Sequence, residues 1–473
     1  MGSPLLLTDG YKFSMAEAGW PLRRETFYYS HRKGGLQVLP FDVEGELKKV
    51  MPEARAGDWE FLASHDYDMG SAVKVALGSK QVTVRSLPRN AVFCDREPVF
   101  SVTGASSLVS WLEPLVLQWS YRIQVASVAV FRPGELADAV KTVTCEAQKQ
   151  LVLQTLEAVG VKAPSITVDS EGYVARVKGR VAELSEVLGT PLRLFEVGLR
   201  AASCPEQHLL ALEGGKQAGL SRTSSVYGAQ QLGLVPVGTM GHEHIQRYGS
   251  DEAAFRAMVE RRYQRSSFLL DTFDTITSGI PTAYTIIAER AGQSDSIRYD
   301  SGDKEAQYRF AAAEARRLGI RPVQILEDGF DLEQTKRFEV LREEVGWKPE
   351  EQVYGYGGFI VAQTSGSPLT RDRVSAVYKL TQTGRRATMK FGNESGSGKQ
   401  SVPGRPVLFR RCAGASGPFG LVGQEGEEVP PGYALLTGAP ALSSVQTAAP
   451  ESLGLALSPA TQALVDELSK WKT

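Results

Sequence analysis

The stretch SIRYDSGDKEAQYRFAAAEARRL, residues 296–318, decides the fold class of this chain. It opens with a short strand-like segment, 296–299, which a polar turn follows. From residue 304 to residue 318, apolar residues then recur at helical spacing, with charged residues on the other side. A strand followed by an amphipathic helix is the repeating unit of a parallel α/β sheet.

The same alternation recurs on both sides of this unit, from about residue 191 to residue 365. Helix-like segments at 251–264, 303–318 and 331–345 separate short apolar segments that we predict as strands: 192–197, 234–238, 268–272, 296–299, 322–326 and 352–356. About six such units in one stretch favour an irregular (β/α) barrel over an open sheet. The predicted fold class is therefore α/β.

The rest of the chain predicts further parts around the barrel. Residues 1–135 mix strands, turns and an apolar helical stretch at 108–126, which indicates an α+β domain. We predict that residues 136–190 form a helical connecting segment, called the excursion below, and that residues 191–365 form the barrel. Residues 366–473 are rich in β-type, Gly and Pro sequence, so we predict that this segment packs on the N-terminal domain, completing the α+β domain. A terminal helix should begin at Pro459, with Ser458 as its N-cap.

Composition and charge exclude several classes of function. The 473 residues are too many for one ordinary core, and 42% of them are apolar. The formal net charge of -1 and the absence of a basic block give no support to nucleic-acid or membrane-surface binding. The N-terminus lacks the pattern of a signal peptide, so we expect a cytoplasmic protein. The four cysteines show no CxxC spacing, which argues against a zinc site or a disulfide framework.

Polar residues follow the C-terminal end of nearly every predicted strand, and in a (β/α) barrel these ends meet at one mouth. They are Glu196, Arg200, Thr223, Ser224, Ser225, Thr239, His242, Asp271, Asp274, Arg298, Asp300, Ser301, Asp303, Asp328, Gly355, Gly357 and Gly358. A polar cap at one strand end means little in any fold. Acids, bases and glycines at so many successive ends predict a single active site.

Three of these groups favour particular chemistry. The glycines of 355–358 would let backbone amides approach a phosphate, although glycines also make tight turns. Of the two carboxylates on the turn 300–303, Asp303 could simply cap the following helix, whereas Asp300 is free for sugar hydroxyls or Mg²⁺. His242 follows a strand and a glycine, and Asp271 could fix its tautomer, which would make the imidazole a nucleophile. A purely structural histidine is the alternative.

Taken together, the motifs resemble the nicotinate phosphoribosyltransferases and their nicotinamide-using relatives. The resemblance covers about residues 5–30, 88–127 and 191–405. Its anchors are the segments 8–12 (TDGYK), 196–200 (EVGLR), 223–225 (TSS), 238–243 (GTMGHE), 271–274 (DTFD) and 298–303 (RYDSGD). Each segment is weak alone, and their order and spacing make the set specific.

The resemblance implies a type II phosphoribosyltransferase of NAD salvage, acting in a homodimer with shared active sites. Nicotinate and phosphoribosyl pyrophosphate would give nicotinate mononucleotide and pyrophosphate, with Mg²⁺ on the pyrophosphate and stimulation by ATP. His242 matches the histidine that ATP phosphorylates, and Asp271 matches its carboxylate partner. Tyr11 matches the ring that stacks on the pyridine from the second subunit.

The resemblance also assigns residues to the substrates. Arg298 matches an arginine that contacts pyridine and phosphate, and Arg200 matches an arginine near the pyridine. Asp300 and Asp328 match acids on the ribose and metal side.

This sequence departs from the family pattern in two places. The segment 196–201 lacks an aromatic residue and a second arginine that the family usually has there. The last strand ends in Gly355-Tyr-Gly-Gly-Phe, which is more like the nicotinamide enzymes, and Arg371 is the candidate to replace the missing phosphate arginine. Lys379, Lys390 and Lys399 match family lysines that would serve phosphates, or are solvated surface lysines.

The choice between nicotinate and nicotinamide depends on Ser224. The amide-using relatives place an aspartate at this position beside the threonine, where a carboxylate would repel nicotinate. The neutral Ser224 tolerates an anion, so we favour nicotinate. The nicotinamide reaction and a non-catalytic, ligand-sensing relative are the alternatives, and quinolinate transfer would need a denser cluster of Arg and Lys.

Overall fold

The computed structural model describes residues 3–290, 292–362, 369–391, 400–445 and 454–470. Lys399 therefore lies outside the described residues.

A curled parallel sheet of seven strands forms the centre of residues 191–365 and confirms the α/β fold class. From one edge to the other, its strands are Val235–Pro236, Arg222–Thr223, Leu194–Glu196, Gln352–Tyr356, Val323–Leu326, Ser296–Tyr299 and Ser267–Leu269. All six neighbouring pairs are parallel, and among the described residues the two edge strands do not pair with each other. The strand Arg222–Thr223 was not predicted, because two residues are too few to show a periodic pattern.

Helices connect these strands, and their ends follow from short capping motifs. They are Pro205–Gln217, Val226–Leu232, His242–Tyr248, Asp251–Arg261, Ile280–Glu289, Lys304–Leu318, Leu332–Val345 and Gly358–Val361. Asp303 and Asp331 accept hydrogen bonds from backbone amides in the first turns of their helices, which satisfies donors that would otherwise have no partner. Asp303 is therefore a helix cap, the alternative that the sequence left open for it.

A second sheet joins the two ends of the chain, as the predicted α+β domain requires. Its order is Arg386–Ala387, Ala376–Thr383, Arg24–His31, Phe100–Ala105 and Val82–Ser86, and all its pairs are antiparallel. The buried helices Ser106–Trp111 and Glu113–Phe131 belong to the same part of the chain. The side chains of Phe27, Tyr29, Val102 and Tyr378 are almost fully buried and form part of one core.

The remaining elements surround these two sheets. The excursion contains the helices Pro133–Val140, Glu146–Ala158 and Ser170–Leu188 and the paired strands Thr142–Val143 and Thr167–Val168. The N-terminal segment adds helices Gly10–Glu17, Val43–Lys49, Asp58–Ala63 and Ser71–Gly78 and the paired strands Gln37–Val38 and Val92–Phe93. A four-stranded sheet follows in the C-terminal segment: Tyr433–Leu435, Pro406–Arg411, Gly420–Gln424 and Leu455–Leu457. The closing helix is Pro459–Ser469, and the Ser458 side chain caps it as predicted.

The N-terminal segment docks on the ends of the parallel strands. The Gly10 amide donates to the Ser224 carbonyl (2.7 Å), and the Val226 amide donates to the Thr8 carbonyl (3.0 Å). A buried ion pair between Arg247 and Glu25, at 3.0 Å, joins the barrel to the antiparallel sheet. These contacts place the antiparallel sheet opposite the C-terminal ends of the parallel strands. The sequence predicts the active site at these ends.

Within the part of the chain that the structure describes, none of the helices combines the length and the apolar character needed to cross a membrane.

Candidate functional site

A cavity of about 380 Å³ lies where the C-terminal ends of the parallel strands face the antiparallel sheet. Ten of the predicted site residues line it: Tyr11, Arg200, His242, Arg298, Asp300, Asp328, Gly355, Gly357, Gly358 and Arg371. The structure thus brings together groups that are far apart in the sequence, as the convergence of strand ends requires.

Nine of the residues predicted at the strand ends do not line the cavity: Glu196, Thr223, Ser224, Ser225, Thr239, Asp271, Asp274, Ser301 and Asp303. The Thr223 hydroxyl donates to Glu196 (2.6 Å), and the Ser224 hydroxyl donates to Asp9 (2.7 Å). Both side chains are buried behind the cavity wall. Their positions fit the support of two buried carboxylates better than contact with a substrate.

Asp271 instead holds His242, as the sequence predicts. His242 Nε2 lies 2.8 Å from Asp271 Oδ1 and 2.9 Å from Lys390 Nζ, and Asp300 Oδ2 is 3.8 Å away. Burial lowers the pKa of His242, although Asp271 opposes this effect. Burial would raise the pKa of Asp271, yet His242 and Lys390 hold it well below its usual range. The result is a neutral imidazole beside an ionised carboxylate, which is the state of a nucleophilic histidine.

His242, Asp271 and Asp300 also form a cluster of possible metal ligands. One donor atom each from His242, Asp271 and Asp300 lie within 4.8 Å of one another. However, the Lys390 ammonium lies 3.3 Å from Asp271 and 3.8 Å from Asp300, so a cation already balances these carboxylates. Mg²⁺ prefers oxygen ligands and keeps several waters, which a set with an imidazole and a lysine does not provide. The cluster therefore does not fit a resident Mg²⁺.

Four cationic side chains line the cavity on the antiparallel side: Arg32, Arg371, Lys379 and Lys390. Lys379 and Lys390 are therefore not solvated surface lysines, and burial lowers the pKa of Lys379 to about 8. Arg32, which directly follows the strand Arg24–His31, was not predicted as a site residue. The local sequence around Arg32 gives no indication of a site, because Arg32 reaches the cavity only through the pairing of this strand with the strand that carries Lys379.

Tyr11 lines the cavity among charged groups. Its hydroxyl donates to Glu113 Oε2 (2.8 Å), and the Arg200 guanidinium lies 5.4 Å from the centre of its ring. Lys12 is buried between Glu113 (2.6 Å) and Glu243 (2.8 Å) and forms an ion pair with each. Tyr11 lines the cavity of its own chain, and its action across a dimer interface, which the resemblance implies, stays a prediction.

Close packing requires a glycine at position 355. A Cβ atom at Gly355 would lie 2.5 Å from the side chain of Glu327, whereas one at Gly358 would meet only the tip of the exposed Asp372 side chain. Asp328, at the end of the neighbouring strand, has a φ of 58°, which non-glycine residues rarely adopt. Tight backbone around one cavity is typical of a functional site. Glu113 and Glu327 also line this cavity, and neither was predicted from the sequence as a site residue.

The cavity wall combines the Tyr11 ring with six cationic side chains, several acids and His242, which Asp271 holds. Such a cavity can hold a flat aromatic acid and a polyanionic sugar.

Comparisons with known proteins agree with this chemistry. No family model matches the chain. Nicotinate phosphoribosyltransferase of Bos taurus is 26% identical over 458 residues, which are 90% of this chain and 80% of the relative. Nicotinate phosphoribosyltransferase pncB2 of Mycobacterium tuberculosis is 27% identical over 216 residues, so the match spans 45% of this chain and 43% of that relative.

Solved structures give the same answer for the fold. Nicotinate phosphoribosyltransferase from Porphyromonas gingivalis superposes with a TM-score of 0.61 at 18% identity, over 85% of this chain and 96% of that one. The chain thus resembles the nicotinate phosphoribosyltransferases in sequence and has the type II phosphoribosyltransferase fold of their solved structures.

Proposed function

We propose that this chain is a nicotinate phosphoribosyltransferase, which joins nicotinate to phosphoribosyl pyrophosphate and releases nicotinate mononucleotide and pyrophosphate. One observation carries the proposal: a single cavity combines an aromatic ring with several cationic side chains. Tyr11 supplies the ring, and Arg200, Arg32, Lys379 and Arg371 are among the cations. The sequence relatives support the same activity.

The reaction needs little covalent participation by the protein. The pyridine nitrogen forms a bond to C1 of the ribose while the bond from C1 to the pyrophosphate oxygen breaks, and the departing pyrophosphate takes the electron pair. Positive charge develops on the ribose, and negative charge develops on the leaving group. Arg32, Arg371 and Lys379 can neutralise the leaving group, and Arg298 and Tyr11 can hold the pyridine in line.

His242 gives the site a second reaction. Because Asp271 holds one ring nitrogen, the other can attack the terminal phosphorus of ATP and release ADP. We propose that the resulting phosphohistidine improves binding of phosphoribosyl pyrophosphate and that its hydrolysis drives synthesis forward. Lys390 contacts Nε2, the same nitrogen that Asp271 holds, and therefore belongs to the charged network that orients the imidazole.

Mg²⁺ would be held by oxygen ligands, so we assign it to the pyrophosphate of the substrate rather than to the histidine cluster. Asp300 and Asp328 line the cavity and would face it there. When bound, Mg²⁺ supplies charge neutralisation for the leaving group. We also propose that the protein is cytoplasmic, that it forms a homodimer and that it acts in NAD salvage.

The substrate choice now depends on the arginines rather than on Ser224, whose hydroxyl is bound to Asp9. Arg200 and Arg298 in the cavity wall favour the carboxylate of nicotinate. Nicotinamide is the second candidate, because the Glu113 carboxylate in the same wall could accept a hydrogen bond from an amide.

A product assay with nicotinate and nicotinamide in parallel, with and without ATP, tests the proposal. We expect mononucleotide from nicotinate, faster with ATP. His242→Ala should remove the stimulation by ATP and the label transferred from γ-labelled ATP, but keep slow synthesis. Stimulation that survives in His242→Ala would contradict the role of the imidazole, and product from nicotinamide alone would reverse the assigned substrate.

A further inference from the structure

Glu327 is a buried carboxylate that the proposed reaction has not yet used. Its residue is 9% exposed, and it lines the cavity directly after the strand Val323–Leu326. Among the residues that the structure describes, its carboxylate makes no hydrogen bond. Its one ionic neighbour within 4 Å is Arg298, at 3.9 Å from Nε to Oε2. A buried carboxylate without a donor is costly, so a ligand is the natural source of its hydrogen bond.

The facing donor on Arg298 also lacks a partner. Arg298 Nη1 donates to the Thr239 hydroxyl, whereas the buried Nε–H has no hydrogen-bond partner among the described residues. The distance of 3.9 Å is too long for a direct hydrogen bond between Nε and the carboxylate. A donor and an acceptor therefore face each other across a gap in the cavity wall.

A hydroxyl group fits between them, because it can accept from Arg298 Nε–H and donate to Glu327 at the same time. An anionic oxygen does not fit, since it has no proton to donate to a carboxylate. It would also meet repulsion from Asp300, which lies near enough to affect the ionisation of Glu327. The position therefore selects a neutral polyol and rejects a phosphate.

We propose that Glu327 and Arg298 Nε together bind one ribose hydroxyl of phosphoribosyl pyrophosphate, which makes Glu327 a specificity residue for the ribose. The inference rests on the proposed function for the identity of the ligand. It adds a direct sugar contact that neither the motifs nor the relatives assign. Gly355 supports this contact, because any larger residue at that position would displace the Glu327 side chain.

The test combines changes at residue 327 with changes in the ligand, in the manner of a double-mutant cycle. Calorimetry measures the binding of each ligand to each full-length protein. The ligands are phosphoribosyl pyrophosphate and its 2-deoxy and 3-deoxy analogues, and the proteins are wild type, Glu327→Gln and Glu327→Ala. Wild type should bind one deoxy analogue at least about tenfold more weakly than the parent compound. In Glu327→Ala the ratio should fall to within about threefold, with Glu327→Gln between the two.

Asp372→Asn is the matched control. It removes a carboxylate that lines the same cavity but is largely exposed and pairs with Arg371. It should keep the discrimination of the wild type. Unchanged discrimination in Glu327→Ala, or a wild type that binds both deoxy analogues as well as the parent, would overturn the inference alone. A wild type that binds no phosphoribosyl pyrophosphate would overturn the proposed function with it.

Discussion

At the scale of single residues, Lys379 shows how burial and function act together. The strand Ala376–Thr383 inserts its side chain into the cavity wall, and loss of water around the ammonium lowers its pKa from 10.5 to about 8. A lysine that loses its proton near pH 8 binds phosphate well below that pH and poorly above it.

The pH dependence of phosphoribosyl pyrophosphate binding follows from this shift. The wild-type KM for this substrate should stay flat below pH 8 and rise as the pH passes through about 8. Lys379→Arg should remove most of the rise, because a guanidinium keeps its charge throughout this range. Steady-state kinetics of both proteins over the same pH series measure the difference, and equal profiles would contradict the role of Lys379.

The same shift has an opposite consequence for stability. The unfolded chain binds the Lys379 proton more tightly than the folded chain does, so this residue lowers stability at low pH. Its unfavourable contribution is relieved as the pH rises from about 8 towards 10.5.

Some residue roles could be predicted from sequence, and others could not. The contact between His242 and Asp271 follows from strand ends that meet in a parallel sheet, and the Ser458 cap follows from local capping rules. Arg32 and Glu327 were missed because each becomes informative only through its neighbours in space. Ser224 was assigned to the substrate, whereas its hydroxyl is bound to Asp9, a partner that the sequence does not identify.

At the scale of elements, the close approach of the N-terminal helix to the loop after Val235–Pro236 places Tyr11 in the cavity. A Cβ at Gly238 would collide with the backbone of Gly10 and Tyr11. At Gly241 it would meet only side-chain atoms of Tyr11 and Met15, at 3.3–3.6 Å. Gly238 is therefore the position at which the two elements must touch.

These two glycines give a matched pair of variants. Gly238→Ala should destabilise the protein by about 1–3 kcal/mol and raise the KM for nicotinate, because backbone cannot yield as side chains do. Gly241→Ala should cost at most about 1 kcal/mol, since a methyl group fits with small side-chain shifts. Urea unfolding and nicotinate kinetics check both, and equal effects of the two changes would show that the contact at Gly238 does not position Tyr11.

Element prediction succeeded where the pattern is local. The strands at 296–299 and 352–356 were predicted with their observed bounds, because each combines apolar residues with a clear polar turn after it. The pairing of Arg24–His31 with Ala376–Thr383 could not be predicted, because the two strands are separated by most of the chain and neither carries a register signal. The strands of the four-stranded C-terminal sheet were not predicted individually, because most of them are too short to show a periodic pattern.

At the scale of the whole molecule, the cavity is assembled from the N-terminal segment, the barrel and the C-terminal strand of one chain. Tyr11, Arg298 and Lys379 come from these three parts. The domain boundaries and the homodimer stay predictions. The groups named here meet within a single chain, and the contribution of a second subunit to the site also stays a prediction.

The most direct test of this account is nicotinate mononucleotide formation by wild type, by Arg298→Ala, by Lys379→Ala, and by the two variants co-expressed with different tags. Wild type should form the nucleotide and pyrophosphate in equal amounts, and each variant should lose at least about tenfold in kcat/KM. Because both residues belong to the cavity of one chain, the co-expressed pair should be no more active than its parents. Absence of product from the wild type, or recovery of roughly a quarter of its activity in the pair as sites shared between subunits would give, would contradict the account.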